Sequence, residues 1–279
     1  MIRFPKAKIN IGLHITEKRL DGYHNIESVF YPVNFNDVLE AVKAPHGDCK
    51  LEVLKLTIDG DPKANLVYKA WELLHRRHGI GGVDAWLIKN IPMGAGLGGG
   101  SSDGAHMLVL LNELFELNLS TETLENYAAE LGSDCPFFIE ETPRFVSGRG
   151  ERLEPCSVSL KGFHLVLIHP GIHVGTKEAY GLITPRSIHP QKENFETASK
   201  QLQHLADAPI ETWPAIAVND FQDPVCAAFE GIAPALDLLK SHGALFTSMS
   251  GSGSAVYGIF EHLPKIEEHP GWTVYSTAL

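Results

Sequence analysis

A two-domain chain of mixed α and β structure, α/β with an α+β half, is what this sequence predicts. Helical and strand periodicities interleave along its length, and the pattern restarts with a new strand near residue 163. With 279 residues, 44% of them hydrophobic, there is enough apolar material for two cores. A soft boundary near Cys156 separates a domain at 1–156 from one at 157–279, and no internal repeat or low-complexity tract interrupts either.

The elements follow in order. "KAKIN" near the N-terminus reads as a strand that puts Lys6, Lys8 and Asn10 on one face. Asp21 and Gly22 signal a turn, and Tyr23 and His24 leave it on the next strand with side chains on opposite faces or displaced by a bulge; the plain reading makes Tyr23 core and His24 exposed. Residues 65–78 open on Asn65 as a cap, carry Leu66, Ala70, Leu73 and Leu74 at helical spacing, and stop at Gly79. "VDAWLIKNIP" alternates Val83, Ala85 and Leu87 as a strand and ends at Pro92.

Five glycines between Gly94 and Gly100 then lead into "SSDGAHMLVLLNELFELN", a helix predicted to use Ser101 or Ser102 as N-cap with Asp103 in its first turn, apolar nearly all round and so buried. A helix over 121–131 closes on Gly132 and delivers "GSDCP". Beyond the boundary come the strand "FHLVLI", helical segments near 175–183 and 194–206, and the helix "PALDLLKSH" closing on Gly243. Last come two strands hinged in "ALFTSMSGSGSAVYGIF" and a final strand "WTVYS".

Composition excludes several classes of function. Lys and Arg number 23 against 34 Asp and Glu, a net charge of −11 with no basic stripe, which argues against nucleic-acid binding through phosphate neutralisation. No 18-residue apolar run and no signal-peptide pattern occur, so a cytoplasmic protein without a membrane partner is expected. Cys49, Cys135, Cys156 and Cys226 form no C-x-x-C pair and read as reduced thiols, while His75 and His78 belong to a solvated helix end rather than a metal site.

The glycine loop "IPMGAGLGGGSSDGA" satisfies G-x-G-x-x-G at Gly94, Gly96 and Gly99. The dinucleotide reading weakens because the acidic residue at the required distance, Glu116, lies within an amphipathic helical segment where no second strand has begun. A Walker loop would need a lysine where Ser101, Ser102 and Asp103 stand, and a protein-kinase glycine loop joins two strands. What these motifs share remains: bare backbone N–H groups at a helix N-terminus, ready to cradle polyphosphate beside serine hydroxyls that can donate to it or approach its magnesium. A glycine-rich connector needed only for close packing is the alternative, and a second small-residue loop, "MSGSGSA" at 249–255, favours an anion site built from both.

"PMGAGLGGGSSDGA" resembles the phosphate loop of the GHMP kinases, the superfamily of galactokinase, homoserine kinase and mevalonate kinase; "KAKINIGLHI" is similar to its first motif and "SMSGSGSAVYGIF" to its third. The three occur in order across nearly the whole chain. "AKINIGLHITEKRLDGYHNIESVF" and "LGSDCPFFI" resemble the branch that phosphorylates a cytidine-diphosphate-linked methylerythritol in the non-mevalonate isoprenoid pathway. A different GHMP small-molecule kinase, of homoserine or mevalonate type, and a non-catalytic nucleotide-binding relative are the other readings.

The resemblance implies a ribosomal protein S5 domain 2-like N-terminal domain, a ferredoxin-like C-terminal domain and a site in the cleft between them. It implies transfer of the γ-phosphate of ATP, with Mg²⁺, to a tertiary 2-hydroxyl. Lys8 and Asp134 become the catalytic pair, Asp134 as base and Lys8 keeping it ionised, against plain readings of a helix cap and a surface lysine. Pro92, Gly94, Ala95, Gly96, Leu97, Gly98, Gly99, Gly100, Ser101 and Ser102 would bind ATP. Asn10, Tyr23, His24, Thr176, Tyr180, Gly251, Ser252 and Gly253 would bind the substrate, with the base between Tyr23 and Tyr180 and His24 on its edge. Gly99 and Gly100 depart from the superfamily's serine-type residues, Ser133 stands where a small alanine is common, and 184–215 matches least. Magnesium ligands are not assigned.

Overall fold

The computed structural model describes residues 1–55, 61–183, 199–267 and 269–279. These gather into two compact units, each discontinuous in sequence: the first takes Met1–Ala7, Phe35–Pro92 and Gly98–Thr142, the second Lys8–Asn34, Met93–Leu97 and Pro143–Leu279. The chain changes unit twice inside the glycine-rich loop, after Pro92 and after Leu97.

In the first unit, β1 (Ile2–Arg3), β4 (Val38–Ala44), β6 (Gly82–Ile88) and β5 (Cys49–Leu54) form one sheet in that order. Only β5 and β6 run parallel, and α1 (Leu66–His78) lies between them in sequence, as a parallel crossover requires. Asn65 caps α1 by accepting the Val67 N–H at 2.9 Å, and Gly79 ends it in the left-handed region at φ 65°. The alternation read in β6 faces Val83, Ala85 and Leu87 into a core shared with Trp71 and Leu74 of α1 and with Met107, Leu108 and Leu111 of α2 (Gly99–Leu114). Each large apolar side chain removed from water there contributes up to about 1.5–3 kcal/mol. Leu124 and Ala128 of α3 (Thr121–Leu131) close the core, and the short α4 (Phe137–Glu140) follows.

Two expectations in this unit are corrected. The N-cap of α2 is Gly98, at φ 70°, and the Ser102 N–H already donates to the Gly98 carbonyl at 2.9 Å, so Ser101 and Ser102 lie inside the helix and Asp103 lies beyond its first turn. Gly132 is the C-cap of α3, as expected, in extended backbone with its N–H donating to the Ala128 carbonyl. Pro136 holds the N-cap of α4, so Asp134 does not occupy that position. His75 donates through Nδ1 to the Ile80 carbonyl at 2.6 Å and His78 meets the Tyr127 hydroxyl at 3.0 Å, as befits a helix end.

In the second unit, β2 (Lys6–Lys18), β3 (His24–Asn36), β7 (Arg144–Ser147) and β8 (Arg152–Pro155) make one sheet in that order. A second, antiparallel sheet has the order β10 (Phe246–Met249), β11 (Val256–Phe260), β9 (His164–His169), β12 (Thr273–Ala278). Helices α5 (Thr176–Leu182), α6 (Trp213–Ile216), α7 (Gln222–Ala228) and α8 (Ile232–Ser241) fill the connection from β9 to β10. Of the helical segment expected near 194–206, residues 194–198 lie outside the described residues and 199–203 are helical. Leu13 and Ile15 of β2 and Ile26 of β3 share one core with Ile168, Phe221, Val225, Leu236, Met249 and Val256. That packing draws the N-terminal strand against the third motif.

Candidate active site

The site is best built from β2 outward. Period-two alternation puts Lys8 and Asn10 on one face, and the Lys8 ammonium donates to Asn10 Oδ1. Lys8 is 3% exposed, with its Nζ 4.5 Å from the centre of the Phe30 ring; the surface-lysine reading is overturned. The Asn10 amide is oriented by its own donation to Ser28 Oγ at 2.9 Å, and Ser28 in turn donates to the Gly12 carbonyl at 2.6 Å. With Nδ2 committed to Ser28, Oδ1 is the atom left to meet the ammonium.

Backbone contacts then bring the three motif segments together. Lys8 N–H donates to the Leu97 carbonyl at 2.9 Å, and Asn10 N–H to Ser250 Oγ at 3.3 Å. The Ser250 hydroxyl donates to the Gly96 carbonyl at 2.8 Å, and Ala255 N–H to that of Ala95 at 3.1 Å. Asn219, which sequence reasoning passed over, holds the third-motif loop by donating to the carbonyls of Met249 at 2.7 Å and Gly251 at 2.9 Å. This proximity explains two glycines outright. A Cβ on Gly96, at φ 76°, would collide with the Ser250 carbonyl oxygen, and one on Gly94, at φ 65°, with the His173 imidazole. Gly251 and Gly253 are buried and Ser252 half-buried.

In the first unit the same loop becomes the N-terminus of α2. No side chain caps it, so the N–H groups of Gly99, Gly100 and Ser101 lack intrahelical acceptors and meet a partial positive charge, the requirement for an anion site. Gly100 is exposed with nothing within 4 Å of a Cβ position, whereas a Cβ on Gly99 would meet Ile91 Cγ2 at 2.9 Å. The Ser101 side chain is hydrogen-bonded to that of Cys135, the residue that follows Asp134 in the chain. Burial pushes the Cys135 thiol up to about 12. Ser102 is fully buried and turns away from the loop, its Oγ 3.4 Å from His106 Nδ1; burial lowers the His106 pKa, and Glu141 lies 3.3 Å from Nε2.

The chain matches the family described as GHMP kinases N terminal domain over residues 65–141 and that described as GHMP kinases C terminal over 211–268. It is 47% identical to a Bacteroides thetaiotaomicron protein named 4-diphosphocytidyl-2-C-methyl-D-erythritol kinase, across 94% of this chain and 92% of that one. The chain belongs to the 4-diphosphocytidyl-2-C-methyl-D-erythritol kinase family. A crystal structure of 4-(cytidine 5'-diphospho)-2C-methyl-D-erythritol kinase superposes with a TM-score of 0.75 at 31% identity, covering 93% of this chain and 90% of that one. Homoserine kinase from Cytophaga hutchinsonii shares the fold, with a TM-score of 0.66 at 15% identity over 99% and 95% of the two chains. The two-domain GHMP kinase fold, of mixed α and β content, is thereby established.

In this kinase family member, the residues expected to hold the base lie together in the second unit but in a different pairing. Asp21 accepts the Tyr23 N–H at 3.1 Å, a bond that with Arg19 keeps its carboxyl below the ordinary range, and so fixes the turn before β3. Tyr23 is 54% exposed, overturning the plain reading, and its ring lies 3.9 Å from the Arg149 guanidinium carbon. His24 is half-buried and stacks on Tyr180, centroids 4.6 Å apart and planes 14° from parallel. Burial, with the Lys18 charge, lowers the His24 pKa and favours the neutral ring. A neutral imidazole offers one donor and one acceptor, the pair a base edge needs. Phe221 packs edge-on against Tyr180 at 4.8 Å, and Thr176, exposed, starts α5.

Proposed function

We propose that this chain transfers the γ-phosphate of ATP to the 2-hydroxyl of 4-diphosphocytidyl-2-C-methyl-D-erythritol, a step in non-mevalonate isoprenoid synthesis. One observation carries the reading: the first motif, the phosphate loop and the third motif are tied by Lys8 N–H to Leu97, Asn10 N–H to Ser250 and Ser250 to Gly96. Residues 1–156 then supply the ATP-binding domain and 157–279 the C-terminal domain.

Phosphoryl transfer to an alcohol demands in-line positioning, charge stabilisation and a carboxylate able to take the hydroxyl proton. The uncapped amides of Gly99, Gly100 and Ser101, with the loop from Pro92 to Gly98, hold the phosphates. Asp134 accepts the proton of the 2-hydroxyl. Lys8 stabilises the alkoxide character that develops there, Asn10 holds the polyol, and Tyr23, His24 and Tyr180 receive the cytosine, with Thr176 and Gly251 to Gly253 along the rest of the substrate.

The Ser101 hydroxyl suits Mg²⁺, since a serine oxygen keeps lone pairs for a hard cation. Bound there with the phosphates, Mg²⁺ would supply neutralisation of charge on the transferred group. No helix among the described residues is long and apolar enough to cross a membrane, and a cytoplasmic setting is proposed.

The test is substrate-dependent ADP release with a panel of alcohols, run on wild type, Asp134→Asn and Lys8→Ala. Turnover with the cytidyl substrate alone is expected, falling roughly 10²–10⁴-fold in Asp134→Asn and comparably in Lys8→Ala with ATP affinity kept. Preference for homoserine or mevalonate would overturn the substrate, and near wild-type turnover in both variants would overturn the catalytic pair.

A further inference from the structure

Beneath the start of α2 lies a cluster of charges that the mechanism above does not use. Lys89, at the end of β6, is 2% exposed; it pairs with Asp37, which is fully buried, and with Asp103, also 2% exposed, at 2.7 Å. Asp37 accepts the backbone N–H groups of Asn90 at 2.5 Å and Ile91 at 2.9 Å through Oδ1. One chain of charge-assisted bonds therefore runs from the residues just before Pro92, through Asp37 and Lys89, to the second turn of α2. All of it lies within the first unit.

Stability does not explain the cluster. Taking a lysine and two carboxyl groups out of water is costly, and an apolar trio of similar volume is often as stable or more so. The cluster is not even fully satisfied: Asp103 Oδ1 is buried and has no hydrogen-bond partner among the described residues. Burial opposes the charge on Lys89, and the Asp103 and Asp37 carboxylates together outweigh it and hold its pKa above the ordinary value; burial pushes Asp103 itself up to about 7. What the arrangement does supply is geometry. Asn90 and Ile91 are one stem of the glycine-rich loop, Gly99 to Asp103 the other, and the Lys89 ammonium lies 3.3 Å from the Cβ position of Gly99, directly under the amides that face the phosphates.

We propose that Asp37, Lys89 and Asp103 are positioning residues for ATP: a buried ionic clip that joins the two stems of the phosphate loop and fixes where the first-turn amides of α2 point. The inference rests on the kinase reading above, through the role given to those amides.

The experiment removes the clip without leaving a buried charge, in the triple variant Asp37→Asn, Lys89→Met, Asp103→Asn. Thermal midpoint, kcat, both KM values, calorimetric ATP affinity and amide hydrogen exchange at 90–102 are then measured. The expected result is a midpoint near or above wild type with the KM for ATP raised roughly tenfold to a hundredfold, the KM for the alcohol unchanged, and faster exchange at Asn90, Ile91 and Gly99 to Ser101. A folded triple variant with wild-type ATP affinity and exchange overturns the clip, as does a parallel fall in stability, kcat and both affinities, which a merely structural cluster would give. If the triple variant does not fold, Asp103→Asn alone is judged by the same exchange and ATP-affinity measurements, and no change in either overturns the proposal. Failure of wild type to phosphorylate any alcohol would instead sink the kinase reading, while ATP calorimetry and exchange still judge the clip.

Discussion

The two small-residue loops, 94–100 and 249–255, look alike in sequence and use their glycines differently. In the first, Gly94 and Gly96 are glycine because a neighbour occupies the side-chain position, His173 in one case and the Ser250 carbonyl in the other, while Gly100 faces open space. In the second, Gly251 closes the same contact from its own side, with a Cβ position 3.0 Å from the Gly96 carbonyl oxygen. The first loop ends on an uncapped helix, the second on strand β11. The five glycines therefore answer to different local demands: close approach of a neighbour at Gly94 and Gly96, open space at Gly100.

Three substitutions probe that division. Gly96→Ala strikes the shared contact and a left-handed φ together, so a loss of about 3 kcal/mol, a fall of roughly 6–12 °C in melting temperature, and near-complete loss of activity are expected. A melting temperature within error of wild type would break the comparison. Gly251→Ala meets the same contact more gently at φ 56°, and calorimetry should find about 1–2 kcal/mol lost, with the ATP KM following only as stability does. Gly100→Ala is the sharpest discriminator and the smallest effect. Stability should hold or rise by up to about 1 kcal/mol, since alanine suits a helix better, while ATP binds severalfold more weakly. If affinity is unchanged, phosphate does not pass over Gly100.

Elements whose ends carry their own signals are legible in the sequence. Asn65 and Gly79 bracket α1, and alternation at Val83, Ala85 and Leu87 marks β6. The start of α2 is not, because a serine is the ordinary cap, whereas here glycine takes the cap position and no side chain caps the helix. Strands β4, β5, β7 and β8 went unread in sequence; their pairing is set by partners distant in the chain. Lys89 was invisible for a related reason. A lysine ending an apolar strand reads as solvated, and only Asp37 and Asp103, 52 and 14 residues away, make it internal. Asn10 and Ser250 fall within matched motifs, but Ser28 and Asn219, which orient Asn10 and hold the third-motif loop, carry no local signature.

The hydroxyl of Tyr257 donates to the carbonyl of Asn10 at 2.7 Å, across 247 residues of chain. On a ribosome adding about 5–20 residues per second, β2 waits roughly 12–50 s for that bond. Until then Leu13 and Ile15 have nothing to pack on but the β3 hairpin partner, because their other neighbours begin at Val166 and continue to Phe260. A nascent chain thus carries a long apolar strand in water for most of its synthesis. Lys6 and Lys8 at one end of β2, and Glu17 and Lys18 at the other, are charges of the kind that disfavour wrong pairing of such a strand.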